Sequence, residues 1–73
     1  MINKSEFCQF SLAGKTRLID EFGKLLFIKV YVKRTMIIYR LYNFYVQVIY
    51  YGDTVEKAEP ISPDMIDLFN DNN

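Results

Sequence analysis

The sequence predicts a small α+β domain in which one N-terminal helix packs on an antiparallel β-meander of three or four strands. Apolar residues recur at helical spacing as far as residue 22 and alternate with a period of two from residue 25 onward. The chain has 73 residues, so we expect a single domain over residues 1–73. A domain of this size buries only about 60–65% of its unfolded surface, so stabilisation by a second copy is physically reasonable.

The helix is predicted over residues 11–22. Ser11 is a good N-cap because its hydroxyl can accept a hydrogen bond from a first-turn N–H. Gly23 is a natural end, since glycine adopts the left-handed conformation without a Cβ penalty. Phe7 and Phe10 are expected to pack ahead of the helix. The apolar residues that fall roughly on one side of it are Leu12, Leu18, Ile19, Phe22 and Leu26.

A β-meander is predicted after the helix, with a two-residue turn at Tyr42-Asn43. Asparagine tolerates the positive φ that such a turn requires. This turn places Leu41 opposite Phe44 and continues an apolar face along both strands. The predicted strands cover residues 25–33, 36–42 and 44–51, with a weaker edge strand over 55–60.

The preceding connection is predicted to centre on Arg34-Thr35. Val30 then lies opposite Tyr39, and the three strands agree on one aliphatic face. We expect the helix to cover that face, which contains Ile28, Val30, Val32, Ile37, Leu41, Phe44, Val46 and Val48.

The opposite face of the meander is too apolar for an ordinary solvated surface. Exposed apolar patches of this kind usually mark interaction sites, and tyrosine and methionine are enriched at protein interfaces. We therefore predict a homodimer that forms through this tyrosine-rich face. Tyr42 is expected on the same side, with Tyr39 and Tyr50 on the helix-covered side. The candidate interface residues are Tyr31, Met36, Ile38, Arg40, Tyr45, Gln47, Ile49 and Tyr51.

The C-terminal segment offers a second explanation of the same face. Ser62 and Pro63 form a typical helix start, which predicts a short helix over residues 63–69. Met65, Ile66 and Phe69 could then dock on the sheet, and residues 61–69 would cover the tyrosine-rich face without any partner. A further protein partner also fits the pattern.

Single-stranded nucleic acid is the alternative ligand, because such strands stack bases on exposed rings while basic residues contact phosphates. Residues 1–34 carry a net charge of +4 and residues 35–73 carry −4, giving a net charge of zero that does not favour this alternative. Chain length is also compatible with a small toxin or antitoxin. The residues of the nucleic-acid hypothesis are Tyr31, Tyr42, Tyr45, Lys29, Lys33 and Arg40.

The sequence predicts a protein that is not an enzyme and binds no cofactor or metal. Histidine is absent and Cys8 is a single cysteine, which leaves neither a Cys/His nucleophile nor a cysteine-based metal site. The stretch AGKT, residues 13–16, lacks the upstream glycine of a phosphate-binding loop, where Gln9 stands instead. Asp20 and Glu21 are neighbours on a helix and point in different directions.

The same composition predicts a cytoplasmic location. A single cysteine fits a reducing compartment, and the N-terminal residues lack the apolar stretch of a secretory signal. No uncharged run reaches the roughly 18 residues that a spanning helix needs, so we expect no membrane insertion.

The pattern also resembles a group of short proteins of unknown function that are common in Bacteroidetes genomes. The resemblance spans residues 7–61 and implies a helix followed by a β-meander. Here the chain differs in having Asn43 where such proteins often have glycine, and a shorter turn at residues 52–54. The matching residues are Phe7, Phe10, Ser11, Tyr39, Leu41, Phe44, Tyr45, Val46, Val48, Tyr50, Glu56, Lys57, Glu59 and Pro60.

Overall fold

The computed structural model describes residues 2–70, with side chains as far as residue 67. Within these residues, one antiparallel sheet has the strand order β1-β2-β3-β4. The predicted α+β meander is confirmed, and so is the short C-terminal helix. The predicted docking of Phe69 concerns a side chain outside the described residues. The elements are α1 (Lys4–Cys8), α2 (Leu12–Phe22), β1 (Gly23–Val30), β2 (Arg34–Leu41), β3 (Phe44–Tyr51), β4 (Thr54–Ile61) and α3 (Pro63–Asn70).

Helix α1 was not predicted from the sequence. Asn3 caps it, because its side chain accepts a hydrogen bond from the Glu6 N–H at 2.9 Å while the Glu6 carboxylate accepts one from the Asn3 N–H at 3.0 Å. Phe7 is fully buried and meets the Phe44 ring edge-on, with 5.8 Å between centroids. Phe10 remains substantially exposed. The short helix therefore brings one aromatic ring into the core.

Helix α2 begins as predicted and ends for a different reason. The Ser11 hydroxyl accepts a hydrogen bond from the Gly14 N–H at 3.1 Å. Gly23, however, has φ −75° and ψ 146°, which is an extended conformation that opens β1. A Cβ atom at Gly23 would lie 2.6 Å from the Ile19 carbonyl oxygen. Glycine is needed here because the chain passes close to the preceding helical turn.

The register between β2 and β3 is confirmed. Leu41 lies opposite Phe44, and the two strands continue in that register to their far ends. The positive φ of the turn falls on Tyr42, at 57°, instead of the predicted Asn43. This conformation directs the Tyr42 ring to the helix side, where it lies 5.7 Å from the Phe22 ring. The prediction that Tyr42 lies on the tyrosine-rich face is wrong.

The predicted register between β1 and β2 is wrong. Val30 lies opposite Thr35, so the turn centres on residues 32–33. A hydrogen bond of 2.7 Å from the Tyr31 N–H to the Arg34 carbonyl closes it. The observed register differs from the predicted one by an even number of residues, so the same side chains keep the same face.

The sheet carries a cluster of buried side chains on each face. We call them the helix-side core, which α1 and α2 cover, and the α3-side core. The helix-side core contains Phe7, Ile19, Leu41, Phe44, Val46, Val48 and Ala58. The α3-side core contains Met36, Ile38, Ile61 and Ile66.

The helix-side core lies over β3 and its neighbours and does not reach β1. The prediction that the helix covers Ile28, Val30 and Val32 is therefore wrong, since all three are exposed. An 11-residue helix is about 16 Å long, whereas an eight-residue strand spans about 26 Å. Two helices of 5 and 11 residues cannot cover the whole face of a four-stranded sheet.

Candidate functional site

Two residues of the tyrosine-rich face lie in the interior. Met36 and Ile38 are 6% and 0% exposed, and they pack with Ile66 of α3. Helix α3 thus covers this part of the face, as in the second explanation drawn from the sequence. Neither side chain is accessible to a partner while α3 stays docked.

The remaining residues of the tyrosine-rich face lie outside its buried centre, and we call them the rim. Tyr31, Arg40 and Tyr51 are exposed, whereas Tyr45, Gln47 and Ile49 are partly buried. The Gln47 side-chain amide donates a hydrogen bond of 2.9 Å to the Glu59 carboxylate. The Arg40 Nε donates one of 3.3 Å to the Tyr42 carbonyl. Several polar groups of this rim therefore already have partners within the chain.

One edge of the same face carries an ion pair. The Arg34 guanidinium donates hydrogen bonds of 2.7 Å and 3.2 Å to the two oxygens of the Glu56 carboxylate, and it lies over the Tyr51 ring. These hydrogen bonds lower the pKa of the Glu56 carboxyl, and the same contact raises the pKa of Arg34. The pair connects β2 to β4 across β3.

An uncovered aliphatic surface lies on β1 and in the turn that follows it. We call it the β1 strip; it consists of Leu25, Ile28 and Val30 on the helix side of the sheet, together with Val32 in the turn that follows. Their exposed fractions are 51%, 52%, 74% and 99%. In β3, by contrast, Val46 and Val48 on the same face are buried. An apolar strip of this kind at the margin of a sheet is typical of an interaction surface.

The β1 strip was missed because three of its residues were assigned to the core. Face alternation correctly predicted their side of the sheet, but it carries no information about how far a helix extends across that side. The short length of the helix was the available signal that part of this face stays uncovered. Eleven helical residues are too few to cover β1 through β4, so some of the aliphatic face had to remain exposed.

Two hollows lie on the surface of the described part of the chain, and neither lining brings together a set of catalytic groups. One of about 420 Å³ lies at the β1–β2 turn and is lined by residues 31–34. A smaller one of about 110 Å³ lies between Tyr45 and α3. Among the described residues, no three His, Cys, Asp or Glu side chains are placed to hold a metal ion.

The AGKT stretch forms the first turns of α2. Thr16 Oγ1 donates a hydrogen bond of 2.8 Å to the Leu12 carbonyl, and Lys15 Nζ lies 5.7 Å from the centre of the Phe7 ring. Thr16 therefore forms a hydrogen bond within α2, and Lys15 lies over a buried ring of α1. A phosphate-binding loop would instead place an irregular glycine-rich backbone at this point.

The fold and its surfaces define a small α+β meander domain with an exposed aliphatic edge. No family model, curated protein or solved structure matches the chain. Within residues 2–70, no helix is long and apolar enough to cross a membrane.

Proposed function

We propose that this chain is a non-enzymatic protein-interaction module that self-associates, and that the β1 strip forms the contact. The observation that carries the proposal is the exposure of three aliphatic side chains along β1, an outer strand of the sheet, and of Val32 in the turn that follows it. Removing such side chains from water contributes roughly 25 cal/mol per Å² of apolar surface. Covering the β1 strip is therefore a favourable step for the folded chain.

The β1 strip fits this role better than the tyrosine-rich face does. Met36 and Ile38, at the centre of the tyrosine-rich face, are already buried under α3. Association through the centre of that face would require α3 to leave and would expose Ile66. Association through β1 requires no rearrangement of the described residues.

A second copy of the chain is the occupant that the surface favours. A two-fold axis beside β1 brings two identical aliphatic strips together, and uncharged strips are compatible with each other. Stable dimers bury about 800 Å² per partner, whereas a contact centred on one strand is small. We therefore expect a dimer that dissociates on dilution.

Light scattering over a range of protein concentrations tests the proposal. The expected result is a mass that rises from 8.7 kDa towards twice that value with concentration. Val30→Glu should weaken the dimer roughly tenfold or more, because it places a charge in the apolar contact; a tenfold change corresponds to about 1.4 kcal/mol. A constant monomer mass up to millimolar concentration contradicts the proposal.

Tyr51→Glu is the matched control for this experiment. Tyr51 is about as exposed as Leu25 and Ile28 but lies on the tyrosine-rich face. The variant should leave the mass unchanged if β1 carries the contact. If Tyr51→Glu dissociates the dimer and Val30→Glu does not, the contact lies on the tyrosine-rich face instead.

A further inference from the structure

The backbone of β1 directs hydrogen-bonding groups away from β2 at regular positions. The hydrogen bond from Tyr31 to Arg34 fixes which pairs of the β1–β2 ladder are bonded, because bonded and non-bonded pairs alternate in an antiparallel ladder. Lys29 thus occupies a bonded position opposite Met36. Ile28 and Val30 occupy non-bonded positions, and their N–H and C=O groups point away from β2.

Side chains and backbone therefore favour the same contact. The residues whose backbone groups point outward, Ile28 and Val30, are also the central residues of the β1 strip. In the part of the chain that the structure describes, β1 forms one margin of the sheet and β4 forms the other. A strand margin with free N–H and C=O groups is a template for another strand.

The margin formed by β4 is poorly suited to such pairing. Pro60 lies within β4 and has no N–H to donate. Glu56, Lys57 and Glu59 add charged side chains along the same strand. Proline and charge are the features by which proteins block pairing at a sheet edge. A head-to-tail contact of β1 with β4 would therefore lack the donor of residue 60 and would meet charged side chains.

We propose that two copies of the chain pair their β1 strands antiparallel about a two-fold axis, which joins the two sheets into one of eight strands. This inference rests on the proposed self-association and specifies its geometry. In the simplest register, Ile28 of one copy lies opposite Val30 of the other, since these residues carry the outward groups. Their side chains then contact across the two strands on the helix side of the sheet. The two Lys29 residues then lie opposite each other on the other face, so their repulsion opposes the pairing and added salt should strengthen the dimer. The pairing uses both β1 margins, so the assembly closes as a dimer.

Val30→Pro distinguishes backbone pairing from a contact between side chains. Proline keeps an apolar side chain but removes the outward N–H of residue 30, and the β1–β2 ladder does not use that N–H. Under the proposed pairing, Val30→Pro should weaken the dimer by a factor similar to that of Val30→Glu. Circular dichroism and a thermal melt check that each variant retains its fold.

Amide hydrogen exchange of the unmodified protein provides a second measurement that needs no variant. The N–H groups of Ile28 and Val30 should exchange rapidly in dilute monomer and become protected as concentration rises. The N–H of Lys29 faces β2 and should be protected at every concentration. Concentration-dependent protection confined to residues 28 and 30 is the signature of edge pairing.

The outcomes separate this inference from the proposed function. A monomer at all concentrations overturns both. In a second outcome, Val30→Glu dissociates the dimer, Val30→Pro does not, and the amides of residues 28 and 30 stay unprotected. That result supports self-association and overturns strand pairing. A dimer that both variants dissociate, with both amides protected, supports strand pairing.

Discussion

Arg34 Nε and Glu56 Oε1 lie 2.7 Å apart and connect β2 to β4 across the intervening strand. Both side chains are exposed, so solvent screens their attraction and the pair contributes little to stability. Its geometry is nevertheless specific, since the guanidinium meets both carboxylate oxygens and lies over the Tyr51 ring. The pair therefore serves as a local probe of how the edge of the sheet responds to pH.

Acidification should abolish the contribution of this pair. The pKa of the Glu56 carboxyl is lower in the folded chain than in the unfolded chain, because Arg34 donates hydrogen bonds to it. The folded form thus binds fewer protons, so the stabilisation is present above the ordinary pKa of about 4.5 and is lost as the pH falls through the folded value. Urea unfolding should show the unmodified chain slightly more stable than Glu56→Gln at pH 7 and equal to it at strongly acidic pH.

Glu21→Gln is the control for this pH experiment. Glu21 is exposed on α2. Its variant should follow the unmodified chain at both pH values. If the difference between Glu56→Gln and the unmodified chain persists unchanged in acid, the ion pair is not its cause.

Phe7→Ala should be strongly destabilising. Phe7 is 0% exposed and packs against Phe44, so truncation leaves a cavity that costs about 3–5 kcal/mol. Phe10→Ala is the matched control, because Phe10 is 41% exposed; its cost should stay below about 1 kcal/mol. Denaturant unfolding of both variants measures the difference. Equal costs would mean that α1 does not anchor the core as described.

Gly23 and Gly52 should respond differently to substitution. Gly23→Ala should cost about 1–3 kcal/mol, because the new Cβ would overlap the Ile19 carbonyl oxygen. Gly52 has φ 61° with no atom near its Cβ position, so Gly52→Ala should cost about 1–2 kcal/mol through backbone strain. Asparagine tolerates positive φ, so it should relieve the cost at Gly52 and not at Gly23. Thermal melts of the alanine and asparagine variants make the comparison.

Ile66→Asp should detach α3 from the sheet. Ile66 is buried against Met36 and Ile38, and even its truncation to alanine should cost about 2–5 kcal/mol. Loss of the contact exposes the α3-side core, so binding of a hydrophobic dye should increase. The adjacent Met65→Asp is the control, since Met65 is exposed and its variant should bind no more dye than the unmodified chain. Unchanged dye binding by Ile66→Asp would contradict the covering role of α3.

The agreement between sequence and structure differs from one turn to the next. At residues 42–43 two strands of clear alternation meet through a two-residue loop, and the pattern predicts the register. At residues 32–33 the alternation is equally clear, but several turns satisfy it. Moving the turn by two residues leaves every side chain on its face, so the face pattern cannot select between them. The signal for α1 was present, because Asn3 followed by Glu6 is a capping box, but the helix has only five residues.

The sequence by itself determined the fold class, the start of α2, the faces of three strands and the β2–β3 register. These depend on local features: a capping hydroxyl, a period of two and a short turn. The tertiary structure decided which aliphatic residues are covered. Val30 and Val48 have the same character and lie on the same face of the sheet, yet Val48 is buried and Val30 is exposed. That difference arises because two short helices can cover only part of the sheet, and their position over β3 is set by packing between distant residues.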